Sequence, residues 1–313
     1  MTEPLRIANC SGFYGDRLSA LREQLEGTSN GRGVDVITGD YLAELTMLIL
    51  GMDTLRDADL GYARTFLTQL EDTLGLALEQ GVKIVSNAGG LNPAGLATQI
   101  QKLAGNLGLD AKVAYVEGDD LRESGLFEGA LTANAYLGAF GIASALSNGA
   151  DIVVTGRVTD ASVVVGPAIA HHGWSGGDYD ALAGAVVAGH VIECGTQACG
   201  GNFSGFVDLF KAGAPMDVPL GFPIAEVAAD GSSVITKHDG TGGAVTVDTI
   251  TAQLLYEIQT TRYLNPDVTT RLDSIQLRQQ APDRVEISGV SGTAPAEQLK
   301  VAVNTLGGYR NQV

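Results

Sequence analysis

Five short β-branched runs, LRIANC (Leu5 to Cys10), VDVIT (Val34 to Thr38), VKIVSN (Val82 to Asn87), KVAYV (Lys112 to Val116) and DIVVT (Asp151 to Thr155), alternate with helix-patterned segments. Runs of this kind bury both faces only when helices cover the two sides of one sheet, so the alternation predicts βαβ units and a parallel, doubly wound sheet. Between the third and fourth runs, Leu96, Ile100, Leu103 and Leu107 recur at spacings of three and four and predict a helix over Ala94 to Leu107, ending near Gly108. The Ala- and Gly-rich stretch Leu131 to Ser147 predicts another, stopped by Asn148-Gly149. From Gly205 the pattern changes: Phe222 to His238 and Ser274 to Val290 read as two hairpins with Gly or Pro turns. Between them Val247 to Gln259 reads as a helix with Thr246 as its N-cap. The predicted architecture is a Rossmann-like α/β domain over residues 1–204, with a mostly parallel doubly wound sheet, and a smaller α+β domain over residues 205–313 with β-hairpins. The final run LKVAVNTLGGYRNQV reads as a strand entering a loop, an abrupt end that predicts either a fragment or an exposed arm.

Composition narrows the partners. Acidic residues number 36 against 19 basic, a net charge of −17, which argues against non-specific binding to nucleic acid or anionic membranes. An anionic ligand must then be held by local donors. Glycine supplies 42 of 313 residues without a three-residue period, so many tight turns are implied and collagen is excluded. The longest uncharged apolar stretch, Ala135 to Leu146, is far shorter than the ~18–20 residues of a membrane span. The N-terminus lacks the basic and apolar regions of a secretory signal. The expectations are a cytoplasmic location, a small-molecule substrate, no nucleic-acid or membrane partner, and a homo-oligomer. Cys10, Cys194 and Cys199 form no CxxC pair and the histidines no ligand spacing, so free thiols and no metal are expected.

In an open parallel sheet, ligands sit beyond the carboxyl ends of the strands. The strings at those ends are CSGFYGDR, GDYLAE, NAGGLNP, EGDDL and TGRVTDAS. They bring Tyr14, Asp40, Asn87, Arg157 and Asp160 to one predicted cleft. Tyr14 and Asp16, and Asp40, Tyr41 and Glu44, could supply an acid/base pair from neighbouring strands, although a loop or capping role competes for each. The Arg157 fork suits a carboxylate or phosphate, while Asp160 is either a base or a helix cap. In NAGGLNP, Asn87 and the Gly89 and Gly90 backbone offer donors to a carbonyl, against a plain turn with Asn92 as cap.

The segment Asp180 to Cys194 is apolar nearly all round, which predicts a buried helix stopped at Gly195. His190, Glu193 and Cys194 stand at i, i+3 and i+4, on one face. They are the first candidates for catalysis, the alternative being a His–Glu pair that locks the helix end with Cys194 as a small hydrophobe. A Gly-rich turn, HDGTGGAVT, places Gly240, Thr241, Gly242 and Gly243 beside Lys237 and could cradle an anion, though a plain turn explains it equally.

Taken in order, NCSGFYGD, GDYLAE, NAGGLNPAG, EGDDL, ANAYLGA, TGRVTDAS, GHVIECGTQACGG, GTGGAVT, YLNPDV and NTLGGYRN make the chain resemble the acyclic terpene utilisation family over nearly its whole length. The resemblance implies a role in degrading acyclic isoprenoids through coenzyme A thioesters of branched acids and truncation before a further C-terminal domain, and it carries over no catalytic residue. Hydration, retro-aldol cleavage or thioester exchange beside a tertiary carbon each need an acid/base group and an oxyanion site. The reading is therefore a lyase or hydratase acting on a branched acyl-CoA or related acid. His190, Glu193 and Asp160 are its acid/base candidates and Arg157 grips the acid, with no covalently bound cofactor and coenzyme A only as part of the substrate. The alternatives are acyl transfer or thioester hydrolysis through Cys194 with His190 as base, and a non-catalytic subunit that binds a coenzyme A ester.

Overall fold

The computed structural model describes residues 3–258 and 260–308. Its first six strands are β1 (Leu5–Asn9), β2 (Val36–Gly39), β3 (Lys83–Ser86), β4 (Val113–Val116), β5 (Thr132–Ala135) and β6 (Ile152–Thr155). The helices among and after them are α1 (Ala20–Glu26), α2 (Glu44–Arg56), α3 (Arg64–Gln80), α4 (Pro93–Asn106), α5 (Phe140–Ser147), α6 (Ser162–His172) and α7 (Tyr179–Glu193). Then come α8 (Phe206–Lys211), the hairpin β7 (Pro223–Val227) and β8 (Ser233–Lys237), and α9 (Val247–Leu255). The short strands β9 (Arg262–Leu264) and β10 (Thr269–Arg271) precede a second hairpin, β11 (Gln276–Ala281) and β12 (Arg284–Ser288). The last two strands are β13 (Ser291–Thr293) and β14 (Val301–Asn304).

Nine strands form one sheet in the order β11-β12-β8-β7-β1-β2-β3-β6-β4. All five runs singled out by their β-branched residues form its parallel block, β1 with β2, β2 with β3, β3 with β6 and β6 with β4. Both hairpins form as predicted and extend that same sheet, because β7 pairs antiparallel with β1, from Leu5 opposite Val227 to Ala8 opposite Ile224. The 204/205 division thus falls between strands that share hydrogen bonds in one continuous layer.

Alternation along the strands sends neighbouring side chains to opposite faces, and both faces are covered. Ile7, Val36, Val85 and Val153 join a core with α5, α6, α7 and α9. Ala8, Ile37, Ile84 and Ile152 join a second core with α1, α3 and α4. That is a doubly wound arrangement. The α4 helix begins on Asn92, whose side chain accepts from the Gly95 amide at 2.8 Å, and α9 on Thr246 in a reciprocal capping box with Thr249. Gln259, placed in the α9 segment by periodicity, and Tyr309, Arg310 and Asn311 of the NTLGGYRN string lie outside the described residues.

One prediction needs correcting. Leu131 to Ser147 is not a single helix: Thr132–Ala135 is β5, paired antiparallel with β14, and only Phe140–Ser147 is helical. The partner strand lies some 170 residues downstream, so a distant pairing overrides the helical preference of an alanine-rich stretch. The correction matters because it turns Tyr136 from a helix residue into the first residue beyond a strand.

Candidate functional site

A cavity of about 540 Å³ opens where the loops after β2, β5 and β6 meet the C-terminal turns of α7, the β9–β10 turn and the segment leading into β14. It borders Glu44, Tyr136, Arg157, Asp160, His190, Glu193, Tyr263, Asn265 and Lys300. Like the predicted cleft, it lies at the carboxyl edge of the parallel block.

The α7 helix is buried over most of its length and delivers His190 and Glu193 to the cleft with side chains 3% and 4% exposed. Its end is fixed to the sheet by Asn9, whose Nδ2 donates to the carbonyls of Ile192 at 2.7 Å and Glu193 at 2.8 Å. His190 Nδ1 and Glu193 Oε1 are 2.9 Å apart, while His190 Nε2 and Glu193 Oε2 have no partner among the described residues. Burial pushes the His190 pKa down, and it pushes Glu193 well up, aided by Asp160 and Glu257. Both shifts favour an uncharged pair.

Arg157 comes from the TGR turn that follows β6. Asp119, of the EGDDL string, sets that turn by accepting from the Arg157 amide at 2.7 Å and from Asn134 Nδ2 at 2.8 Å. The Arg157 side chain is buried, donates from Nη2 to Tyr136 Oη at 3.0 Å and lies with Nη1 3.4 Å from Asp160 Oδ1. Among the described residues its Nε and Nη1 make no hydrogen bond. Burial opposes this cation, but Asp160, Tyr136 and Asp40 outweigh it and hold the guanidinium charged. Tyr136 Oη in turn donates to Glu44 Oε1 at 2.7 Å, and its ring has Arg157 Cζ 4.3 Å and Lys300 Nζ 4.7 Å from its centre. Burial raises the phenol to about 12. Asp160, although next to Arg157, is raised by burial and by Glu44 and Glu257.

Of the five residues predicted to line the cleft, Arg157 and Asp160 do so. Asp40 and Asn87 are buried beneath it, with Asn87 Nδ2 donating to Asp40 Oδ1 at 2.5 Å and Asn87 Oδ1 accepting from the Tyr41 amide at 2.8 Å. Burial, Asp160 and Glu193 hold the Asp40 carboxyl well above its usual range. Tyr14 does not border the cavity and packs against the core on the other face of the sheet. Asp16 organises its own loop, accepting from the Gly12 and Arg17 amides. Gly89 and Gly90 form a turn so close to β6 that a Cβ on Gly89 would stand 2.4 Å from the Thr155 carbonyl oxygen, and neither borders the cavity. They serve packing.

Cys194 terminates α7 without bordering the cleft, and burial, then Glu193 and Asp40, push its thiol up, away from the thiolate. The Gly240, Thr241, Gly242 and Gly243 turn is also apart from the cavity. Lys237 Nζ donates to the Thr241 carbonyl at 2.8 Å and pairs with Asp283 at 3.2 Å, so its charge is spent on the turn itself.

Among the further cleft residues, Tyr136, Tyr263, Asn265 and Lys300 escape a residue-by-residue reading. Tyr136 was hidden by the helical misreading, and Tyr263 and Asn265 sit in YLNPDV, a string whose residues had been given no chemical role. Lys300 belongs to no recognisable motif. The cleft unites Tyr136 with Tyr263 and Asn265 because Asp267, also of YLNPDV, accepts from the Ala139 amide at 2.8 Å and ties that loop to ANAYLGA.

Among the described residues no helix is long and apolar enough to cross a membrane. Comparison with curated proteins and with solved structures returns no match for this chain. A family profile described as acyclic terpene utilisation family protein AtuA matches residues 5–313, essentially the whole chain, and every string that carried the resemblance lies within it. The chain belongs to the acyclic terpene utilisation family.

Proposed function

We propose that this protein, with the role in acyclic terpene utilisation that its family implies, is a lyase or hydratase acting on a branched carboxylic acid or its coenzyme A thioester. The observation that carries the reading is the buried Arg157 guanidinium in the same cavity as the His190–Glu193 pair: among the described residues its Nε and Nη1 make no hydrogen bond, and Nη1 meets only Asp160 as an ion pair at 3.4 Å. A buried guanidinium with free N–H groups costs several kcal/mol unless an anion or a polarised oxygen meets them, and a carboxylate or thioester carbonyl does so. Lys300 adds a second positive charge at the mouth.

The acid/base work falls to the neutral pair. With His190 Nδ1–H donating to Glu193 Oε1, the two unpartnered atoms have complementary roles: Nε2 accepts a proton and protonated Oε2 donates one. For cleavage, Nε2 takes the proton of a tertiary hydroxyl, whose oxygen becomes a carbonyl as the adjacent C–C bond breaks. The electron pair passes to the carbon beside the acyl group, its charge spread onto the oxygen held by Arg157, and Glu193 or Asp160 returns a proton there. For hydration the same groups deprotonate water and protonate the neighbouring carbon.

Acyl transfer through Cys194 is the weaker reading, because Cys194 does not border the cleft and its thiol is pushed up. The test is Arg157→Lys, which keeps the charge and removes the planar fork. Affinity for a branched acid, read by calorimetry, is expected to fall by about tenfold or more. An affinity within about twofold of wild type would make Arg157 structural. Binding by wild type without turnover of any acid or thioester would leave a non-catalytic binding subunit.

A further inference from the structure

Asn265 follows β9 in the turn closed by its own amide on the Val268 carbonyl, and it borders the cleft while being only 3% exposed. Neither Nδ2 nor Oδ1 has a hydrogen-bond partner among the described residues. A buried primary amide with both ends unpaired is expensive, and native interiors pair nearly all such atoms. The conclusion does not depend on which way the amide is turned, since donor and acceptor are both free.

These two free ends specify a ligand. The Nδ2 donor is met by any carbonyl or carboxylate oxygen, but the Oδ1 acceptor needs a donor. A saturated or unsaturated branched acid has none, because its only polar group is an ionised carboxylate that accepts. A hydroxyl supplies one. We propose that Asn265 is a specificity-determining residue that recognises a hydroxyl on the ligand, so that the cleft selects hydroxylated branched acids over their deoxy counterparts. The inference rests on the reading of the cleft as an acid site, and it narrows the substrate class to molecules that carry the acid for Arg157 and, besides any hydroxyl whose proton passes to His190 Nε2, a hydroxyl for Asn265. In a reaction sequence, an oxygenating or hydrating step must then precede this protein in the cleavage direction.

The experiment is calorimetry on the full chain with two acids that differ by one hydroxyl, 3-hydroxy-3-methylbutanoate and 3-methylbutanoate. Wild type is expected to bind the hydroxy acid about tenfold or more tightly. Asn265→Leu, close in volume and without polar atoms, is expected to bring the ratio of the two affinities to near one by weakening the hydroxy acid. Arg157→Lys is expected to weaken both acids together. Equal binding of the two acids by wild type overturns the role given to Asn265 and leaves the acid site standing. No binding of either acid overturns the acid site and this inference with it. Should Asn265→Leu fail to fold, Asn265→Ser is the second variant: its shorter hydroxyl is expected to retain part of the preference, and the full wild-type ratio in it would overturn the assignment.

Discussion

The His190 ring and the Glu193 carboxyl stand one helical turn apart on α7, joined at 2.9 Å, and each keeps one polar atom without a hydrogen-bond partner among the described residues, within a nearly solvent-free wall of the cleft. Burial lowers the one pKa and raises the other, which favours a protonated acid beside a neutral base. Glu193→Gln preserves the shape and removes that proton. Turnover is expected to fall by about a hundredfold or more, with loss of the corresponding limb of the pH profile. Full activity across about pH 5 to 9 would pass the acid/base role to Asp160.

Asp40 offers a stability test. Its folded pKa lies well above its unfolded value, through burial first and the charges of Asp160 and Glu193 next. The folded state therefore keeps a proton that the unfolded chain releases above about pH 4, and stability falls as pH rises through that window. Asp40→Asn retains an oxygen to accept from Asn87 and removes the titration. Its melting temperature is expected to exceed that of wild type by a margin that widens as pH rises above about 4. A margin constant with pH would show that Asp40 does not carry the raised pKa.

Cys194→Ser separates the chemistries. A hydroxyl cannot replace an attacking thiolate without a large loss, whereas a cysteine that ends a helix tolerates the change. Turnover within about twofold of wild type is expected. Abolished turnover with unchanged thermal stability, together with selective iodoacetamide labelling of Cys194, would establish the acyl-transfer route instead.

Gly184→Ala tests how the site is supported. On α7, a Cβ at this position would stand 2.1 Å from the Gly231 carbonyl oxygen, a backbone atom of the β7–β8 turn that cannot swing aside. A destabilisation of about 1–3 kcal/mol is expected in urea titrations. A neutral effect would show that the helix shifts freely, and the fixed placement of His190 and Glu193 would lose its basis.

The parallel block was readable because β1, β2 and β6 are buried on both faces and its strands are short runs rich in β-branched residues between helical patterns. The hairpins were readable because their turns are written in Gly, Asp and Pro. That the hairpins would continue the same sheet was not readable, since nothing local in Leu5–Asn9 states that its second neighbour lies beyond residue 220. The same limit explains β5, whose pairing with β14 is equally distant. In the site, Arg157, Asp160, His190 and Glu193 stood out because charged groups beside apolar runs demand partners. Tyr136, Tyr263 and Asn265 did not, because a tyrosine or asparagine in a loop is chemically unremarkable until the fold shows that it is buried and facing a cavity.

The pairing of β1 with β7 carries a consequence for biosynthesis. When a ribosome has released residues 1–204, the parallel block is complete on one side, yet the outer edge of β1 still lacks the strand that begins at Pro223. Its backbone donors and acceptors are bare, flanked by Leu5 and Ile7, in the middle of what will become the sheet. Such an edge recruits any passing strand, and pairings this remote in sequence form slowly. A nascent chain paused there, or an expression fragment cut at residue 204, is thus a strand acceptor whose solubility depends on how soon residues 223–227 arrive.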